Sequence, residues 1–518
     1  MAESCPWPRR PAAGRFGPRN DALLVAVLLA VLPLAGAVPS AAQPSADLAA
    51  RAQRGQAAMN AGRFDEAARI YGELVQAVPG EAGLRLNLGM ALSMAGRPRE
   101  ARPHLEAALE SGRPELVPAA LFLGSVYLEL GQPARAVEPL ETFLAAQPGN
   151  REARRMLADA LLHLERHGEA ARHYRRLTEQ APEDPGAWFG LGRSYEGLSQ
   201  KAFEELGTLA PESPEILLLV AEALVAQERD KRAFQLYREA LDKRPGLAEA
   251  HEALGGIYER GGHPDWAAAE RAKVRSLPPP DCASARLECD FEAGRYVEVV
   301  AAARSLQTAE GRYWLSRAAG ELARDAFSRL EGLGPSPEAT LVEVQVLRSQ
   351  RRYAESKEAL QKAEEAWPGD LRIRQELAKL LFIGREYEAA RPLLEELLSR
   401  QPDSPEAHLL LGELWVEQRK PEEAIPHLEK AAVAGPLQLR ARAALGRAYV
   451  DAGQAEKAIP HLEAALPTDE DGSLRFQLAR AYQATGQTDR AREMRQEFQE
   501  IQRLQERTQE EDLVLTPP

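Results

Sequence analysis

The chain has 518 residues, 6% of them aromatic and 28% charged, with a formal net charge of −13. That acidic balance offers no basic stripe for a nucleic-acid backbone, and the charged fraction excludes a membrane-embedded body. A chain rich in Ala, Leu, Glu and Arg favours helix over strand.

The first 42 residues read as a targeting segment. Arg9, Arg10, Arg15 and Arg19 form a basic stretch, residues 22–38 an apolar run broken by Pro33, and Ser40, Ala41 and Ala42 a small-residue end. This is the pattern of a secretory signal cleaved near Ala42, with an uncleaved anchor as the alternative. The Pro-Ala-Ala-Gly after Arg9-Arg10 fits a twin-arginine signal poorly, and no Cys follows the apolar run to carry a lipid. No later run is long and apolar enough to span a membrane.

From residue 43 onward, small residues recur at a spacing near 34. One series is Gly55, Gly89, Gly124, Ala158 and Gly192, resumed by Ala221 and Gly255 and again by Ala378, Gly412, Gly446 and Ala479. A second, about twelve residues behind, includes Ala67, Ala101, Ala136, Ala170, Ala233, Ala390, Ala424 and Ala458. A third marks unit ends at Pro79, Pro148, Pro182, Pro245, Pro279, Pro368, Pro402 and Pro436. Between one proline and the next lie two stretches of helical periodicity. In residues 405–438, His408, Leu411, Gly412 and Trp415 make one stripe and Ala424, Leu428 and Ala431 the other, with a turn at 419–421. The small residue lets two helix axes approach, and the proline drives the residue before it out of the α region. Neither helix can bury its stripe alone, so the units must stack.

Leu88-Gly89 with Ala101, Trp188…Leu191-Gly192…Tyr195, and Leu445-Gly446…Tyr449 with Ala458 give this period a recognisable form. Residues 47–507 resemble the tetratricopeptide repeat family. The resemblance implies an all-α fold, a right-handed α-solenoid of helix–turn–helix repeats. Its concave groove would be lined by the first helix of each unit and would bind peptides or protein segments. About twelve units begin near residues 48, 82, 117, 151, 214, 248, 280, 337, 371, 405, 439 and 472. The one near 280 is degenerate, with Val299 where Ala is expected.

Two stretches are too short for a helix pair. Leu198, Ala202, Phe203, Leu206 and Leu209 align at an offset of 124 with Leu322, Ala326, Phe327, Leu330 and Leu333. Apolar residues keep helical register across the missing turn, which predicts one continuous helix over 186–209 and another over 310–333, each a strut between blocks. The competing arrangement is two short helices with a tight turn at 197–200. The seams divide the array into 43–211, 212–335 and 336–507, the last ending in a capping helix. An acidic, Pro-rich tail at 508–518 is expected to be disordered.

No catalytic, metal or cofactor constellation emerges. Gly-x-Ser-x-Gly and phosphate-binding Gly-rich loops are absent. His104, His427 and His461 recur within Pro-His-Leu-Glu at one place in their units, which marks a position of the solenoid. His163 and His167 sit four apart with His173 near, and spacing fixes no third ligand for that pair. Paired acids such as Glu422-Glu423 fall in turns, and Trp188, Trp266, Trp314, Trp367 and Trp415 read as packing or groove residues. In the family the groove positions are the second, fifth, ninth and twelfth of the first helix. The resemblance thus places Arg372, Lys379, Arg440, Arg447 and Arg480 toward the groove, interrupted by Glu406 and Glu413. Phe382, Leu409, Val416 and Phe476 would supply apolar surface. Some family members clamp a terminal carboxylate with Lys and Asn; here Ala52, Gln56, Leu86 and Met90 stand at those positions.

Cys282 and Cys289 form an even pair in an exported chain. On one helix, seven residues would separate them by about 10 Å, too far for a disulfide. A bond therefore requires Cys282 to precede the helix, on the turn after residues 278–280. The expectation for function is an exported, periplasmic or extracellular, non-catalytic scaffold that binds protein partners or peptides. The alternative is a carrier or binding subunit for a non-protein envelope ligand such as a polysaccharide.

Overall fold

The computed structural model describes residues 44–433, 437–509 and 516. The targeting segment lies outside them, as does the tail apart from residues 508–509, which end the last helix at Gln509, and Thr516. Among the described residues there are 26 α-helices and no strand. They alternate as first and second helices: Ala82–Met94 with Pro98–Glu110, Arg151–His163 with His167–Gln180, Pro405–Glu417 with Pro421–Ala431. None is long and apolar enough to cross a membrane.

The recurring small residue is a contact point between paired helices. A Cβ on Gly412 would lie 2.5 Å from Cγ of Leu428, and one on Gly446 at the same distance from Leu462. Entry to the first helix is capped by a side chain at several units. Ser213, Ser336 and Ser404 each accept from the backbone N–H three residues on, and Asn150 does the same. The terminal proline also has a bonding role. Its carbonyl accepts from the fourth residue of the next first helix: Pro79 from Arg85, Pro182 from Trp188, Pro245 from His251, Pro368 from Arg374 and Pro402 from His408. Arginine, histidine and tryptophan share only a ring or guanidinium N–H, and that donor locks one unit to the next.

Two helices break the alternation, Pro185–Leu209 and Ala309–Gly332, and both are continuous. Regular units turn through a residue of positive φ, such as Gly131, Glu165 or Gly453; no residue between 185 and 209 has one. Gly197 stays in the helix, packed against the ring of His167.

The chain forms two compact units. One takes the chain up to Pro211 together with Pro280–Gly334, the other Glu212–Pro279 with the chain from Pro335 onward. The stretch 212–335, expected to be one block, is thus divided between them. Within the first unit the two long helices run antiparallel against each other. Ser199 Oγ donates to the Ser316 carbonyl at 2.7 Å and Ser316 Oγ to the Ser199 carbonyl at 3.0 Å. Arg312, buried, pairs with Glu205 at 2.6 Å. Phe327 sits on Gly192, filling the place that a second-helix leucine fills on Gly412. Each shortened unit lacks a second helix, and the other long helix supplies the missing surface.

Candidate functional site

The candidate groove residues all lie in the second unit, on the first helices Leu371–Ile383, Pro405–Glu417, Gln438–Asp451 and Ser473–Ala484. Each helix is held by its stripe. Leu377, Ala378 and Leu381 in one and Leu445 and Ala448 in another are buried against the neighbouring second helices. That burial fixes which side chains remain on the outer edge.

The five basic residues on this edge are paired, each with an acid of a neighbouring first helix. Arg372 meets Glu338 at 2.7 Å, Lys379 meets Glu406 at 2.5 Å, and Arg440 meets Glu413 at 2.6 Å. Arg447 meets Glu417 at 2.7 Å and Arg480 meets Asp451 at 3.2 Å. Arg348, one helix earlier, pairs with Glu376 at 3.1 Å. Four of the rungs follow the repeat, and Arg372–Glu338 and Arg348–Glu376 do not: a ninth-position charge reaches the second position of the next unit (Lys379 to Glu406, Glu413 to Arg440). A thirteenth-position acid reaches the next ninth-position arginine (Glu417 to Arg447, Asp451 to Arg480).

Burial tunes the rungs. Glu413 is pushed above the usual carboxylate range by desolvation, against the pull of Arg440, and its bond in turn raises Arg440. Burial pulls Lys379 down, but Glu376 and Glu406 outweigh it and hold the ammonium above its ordinary range. Burial likewise opposes the charge on Arg372, and Asp370 and Glu338 overcome it. An exposed pair contributes about 0–1 kcal/mol, yet removing one member here would strand a half-buried acid, which costs more.

Two expectations need correction. Leu409 does not supply groove surface: it is 1% exposed, and Val416 is 3% exposed. Both pack into the core with Ala441, Leu445 and Ala448 of the following first helix, because adjacent first helices touch at these positions. The charged residues of the edge are of both signs, and each of the five candidate cations is met by a carboxylate. Phe382 is half-buried against Tyr387 at 5.7 Å between ring centroids. Phe476 is 45% exposed and faces Phe498 of the Thr488–Gln509 helix at 5.6 Å. Next to Phe382 in sequence, Ile383 stands 50% exposed, and its exposure was not foreseen from the sequence. Leu86 and Met90, at the early positions where a carboxylate clamp would need Lys or Asn, are buried.

The histidines sit inside the units. His408 donates from Nε2 to the Pro402 carbonyl at 2.9 Å, so its Nδ1 is the acceptor facing His427 Nδ1, also at 2.9 Å. His251 faces the Pro245 carbonyl with one ring nitrogen and Glu270 with the other. No group of three metal-ligating side chains is present among the described residues. Cys282 precedes the Arg286–Glu292 helix that carries Cys289, and the two are joined by a disulfide with Cα atoms 5.7 Å apart.

Family models described as tetratricopeptide repeat match residues 58–121, 121–185, 167–205, 197–248, 376–438, 416–473 and 472–497. Among characterised proteins, the Hsp70-Hsp90 organizing protein of Triticum aestivum is 34% identical over 107 residues. The match spans 21% of this chain and 18% of that protein. Among solved structures, a chain of the APC/C hetero-tetramer Cut9-Hcn1 is matched at 14% identity over 88% of this chain and 95% of the other, with a TM-score of 0.32. MamA MSR-1 C2 is matched at 24% identity over 33% of this chain and 96% of the other, with a TM-score of 0.28.

Proposed function

The chain belongs to the tetratricopeptide repeat family, and we propose that it is an exported, non-catalytic scaffold that holds protein segments along the first helices of residues 371–484. The observation that carries this reading is the ladder of ion pairs at fixed repeat spacing, flanked by exposed Ile383 and Phe476. Its rungs present both signs of charge in a set order. A bound segment with the complementary order can exchange partners with them, and a like-charged one is repelled. The fitting ligand is an amphipathic segment of mixed charge.

The relative whose name describes the organising of two other proteins supports the adaptor class, over the fifth of the chain that it matches. A polysaccharide carrier would call for a run of exposed aromatic platforms. Tyr353 and Phe476 are the exposed large aromatic residues among those described, and over a hundred residues separate them. Export rests on the basic, apolar and small-residue pattern of residues 9–42. N-terminal sequencing of the protein recovered from cells is expected to begin near residue 43.

The test is affinity capture from the cell envelope with the full chain and with an Arg440→Glu, Arg447→Glu variant. A protein captured by the first and lost by the second supports the reading. Capture unchanged by the variant, or of glycan without protein, overturns it.

A further inference from the structure

A tyrosine near the end of the first helix bonds back to the preceding second helix in unit after unit. Tyr127 donates to Glu106 at 2.5 Å, Tyr449 to Glu429 at 2.6 Å and Tyr482 to Glu463 at 2.6 Å. In the Ala248–Arg260 helix this tyrosine is Tyr258, and the residue facing it is Arg238, whose guanidinium lies against the hydroxyl. A guanidinium accepts nothing, so the tyrosine proton needs another acceptor. It finds the backbone carbonyl of Thr516, at 2.6 Å and 258 residues away in sequence. Both residues belong to the second compact unit.

The surroundings fit that acceptor's neighbours in the sequence. Tyr258 lies 5.6 Å from the Phe234 ring and 5.5 Å from the Trp266 ring, and Trp266 stacks on His263 at 4.0 Å. Thr516 is followed by Pro517 and Pro518. A residue before proline is held extended, and proline-rich segments dock on aromatic surfaces whose hydroxyl or indole donors take their free carbonyls.

We propose that the aromatic surface around Tyr258 is a docking site for an extended proline-rich segment, and that its resident occupant is the segment of this same chain around Thr516. Arg238, by replacing the usual glutamate, opens the tyrosine hydroxyl to a backbone acceptor. An external segment of the same chemistry reaches the site only by displacing the tail. The site is separate from the ion-pair ladder, so failure of one reading leaves the other standing.

Photo-cross-linking of the full chain tests this, with a benzoylphenylalanine in place of His263 so that Tyr258, Arg238 and Trp266 are retained. The expected product is a link within one chain to the peptide covering residues 510–518. Its yield should fall at least fivefold on Tyr258→Phe, which preserves ring packing, and on addition of excess synthetic 510–518 peptide. No link to the tail, a link formed only between chains, or a yield that Tyr258→Phe leaves unchanged would overturn the proposal.

Discussion

One residue in each regular unit carries the turn between its helices in the left-handed conformation. Gly62, Gly96, Gly262 and Gly453 do so without strain, but Glu165, Glu228, Arg351, Arg385 and Arg419 stand at the same place with φ of 55–60°. A side chain there costs about 1 kcal/mol, partly offset by the freedom glycine adds to the unfolded chain. Arg385→Gly should therefore raise stability by roughly 0.5 kcal/mol, read as a higher urea midpoint; a lower midpoint would show that the arginine side chain matters more than its backbone. The histidines give a pH dependence. His104, His173, His408, His427 and His461 are all pushed below their ordinary value of 6.5, chiefly by burial and then by neighbouring cations such as Arg85, Arg154, Lys430 and Arg442. The unfolded chain takes up protons at these sites as pH falls through about 6.5 while the folded chain resists, so folded stability drops. The urea midpoint should fall between pH 7.5 and 6, where carboxylates remain ionised; a flat profile would contradict the assignment. The small residues at Gly412 and Gly446 were legible because close helix packing dictates them wherever they occur. The donors to the proline carbonyl were not, because Arg85, Trp188 and His251 share a function and no common letter. Leu409 was misplaced for a related reason: a position exposed on one first helix is covered when the next carries small residues such as Ala441.

At the scale of the helix, continuity of Pro185–Leu209 and Ala309–Gly332 was legible in an absence. The apolar register runs on without a proline or polar turn to break it, and Gly197 and Gly320, which could have turned the chain, keep helical φ. Their mutual pairing was not legible, because the 124-residue offset reveals similarity without contact. The pairing has an energetic consequence. Phe327 fills Gly192 of the other long helix, so Phe327→Ala should cost about 2–4 kcal/mol, read as a fall in the melting temperature of the full chain. A loss below about 0.5 kcal/mol would show that the two helices do not depend on that contact. The short Arg286–Glu292 helix poses the disulfide question. With Cys282 ahead of the helix the geometry suits a bond, and non-reducing peptide mapping of the protein recovered from cells should find Cys282 and Cys289 in one linked pair. Two free thiols would refute it.

For the whole molecule, the repeat period and the family were legible from residue 55 to residue 491, since each unit restates the same packing problem. The charge ladder was only half legible. Arg440 and Arg447 could be placed on the edge by their repeat positions, but their neutralisation by Glu413 and Glu417 depends on the distance between successive first helices. The alternation of sign at the second position, from Glu338 to Arg372, Glu406 and Arg440, with acids Glu417 and Asp451 at the thirteenth, was the signal to follow. A ladder that both binds and braces also predicts where a partner acts, because a segment held there must exchange with its rungs. Hydrogen–deuterium exchange of the full chain with its captured protein partner, against the chain alone, tests this most directly. Added protection is expected in the first helices Leu371–Ile383, Pro405–Glu417 and Gln438–Asp451, with the second helices Tyr387–Arg400 and Pro421–Ala431 unchanged. Protection confined to those second helices, or to the first unit, would contradict the account.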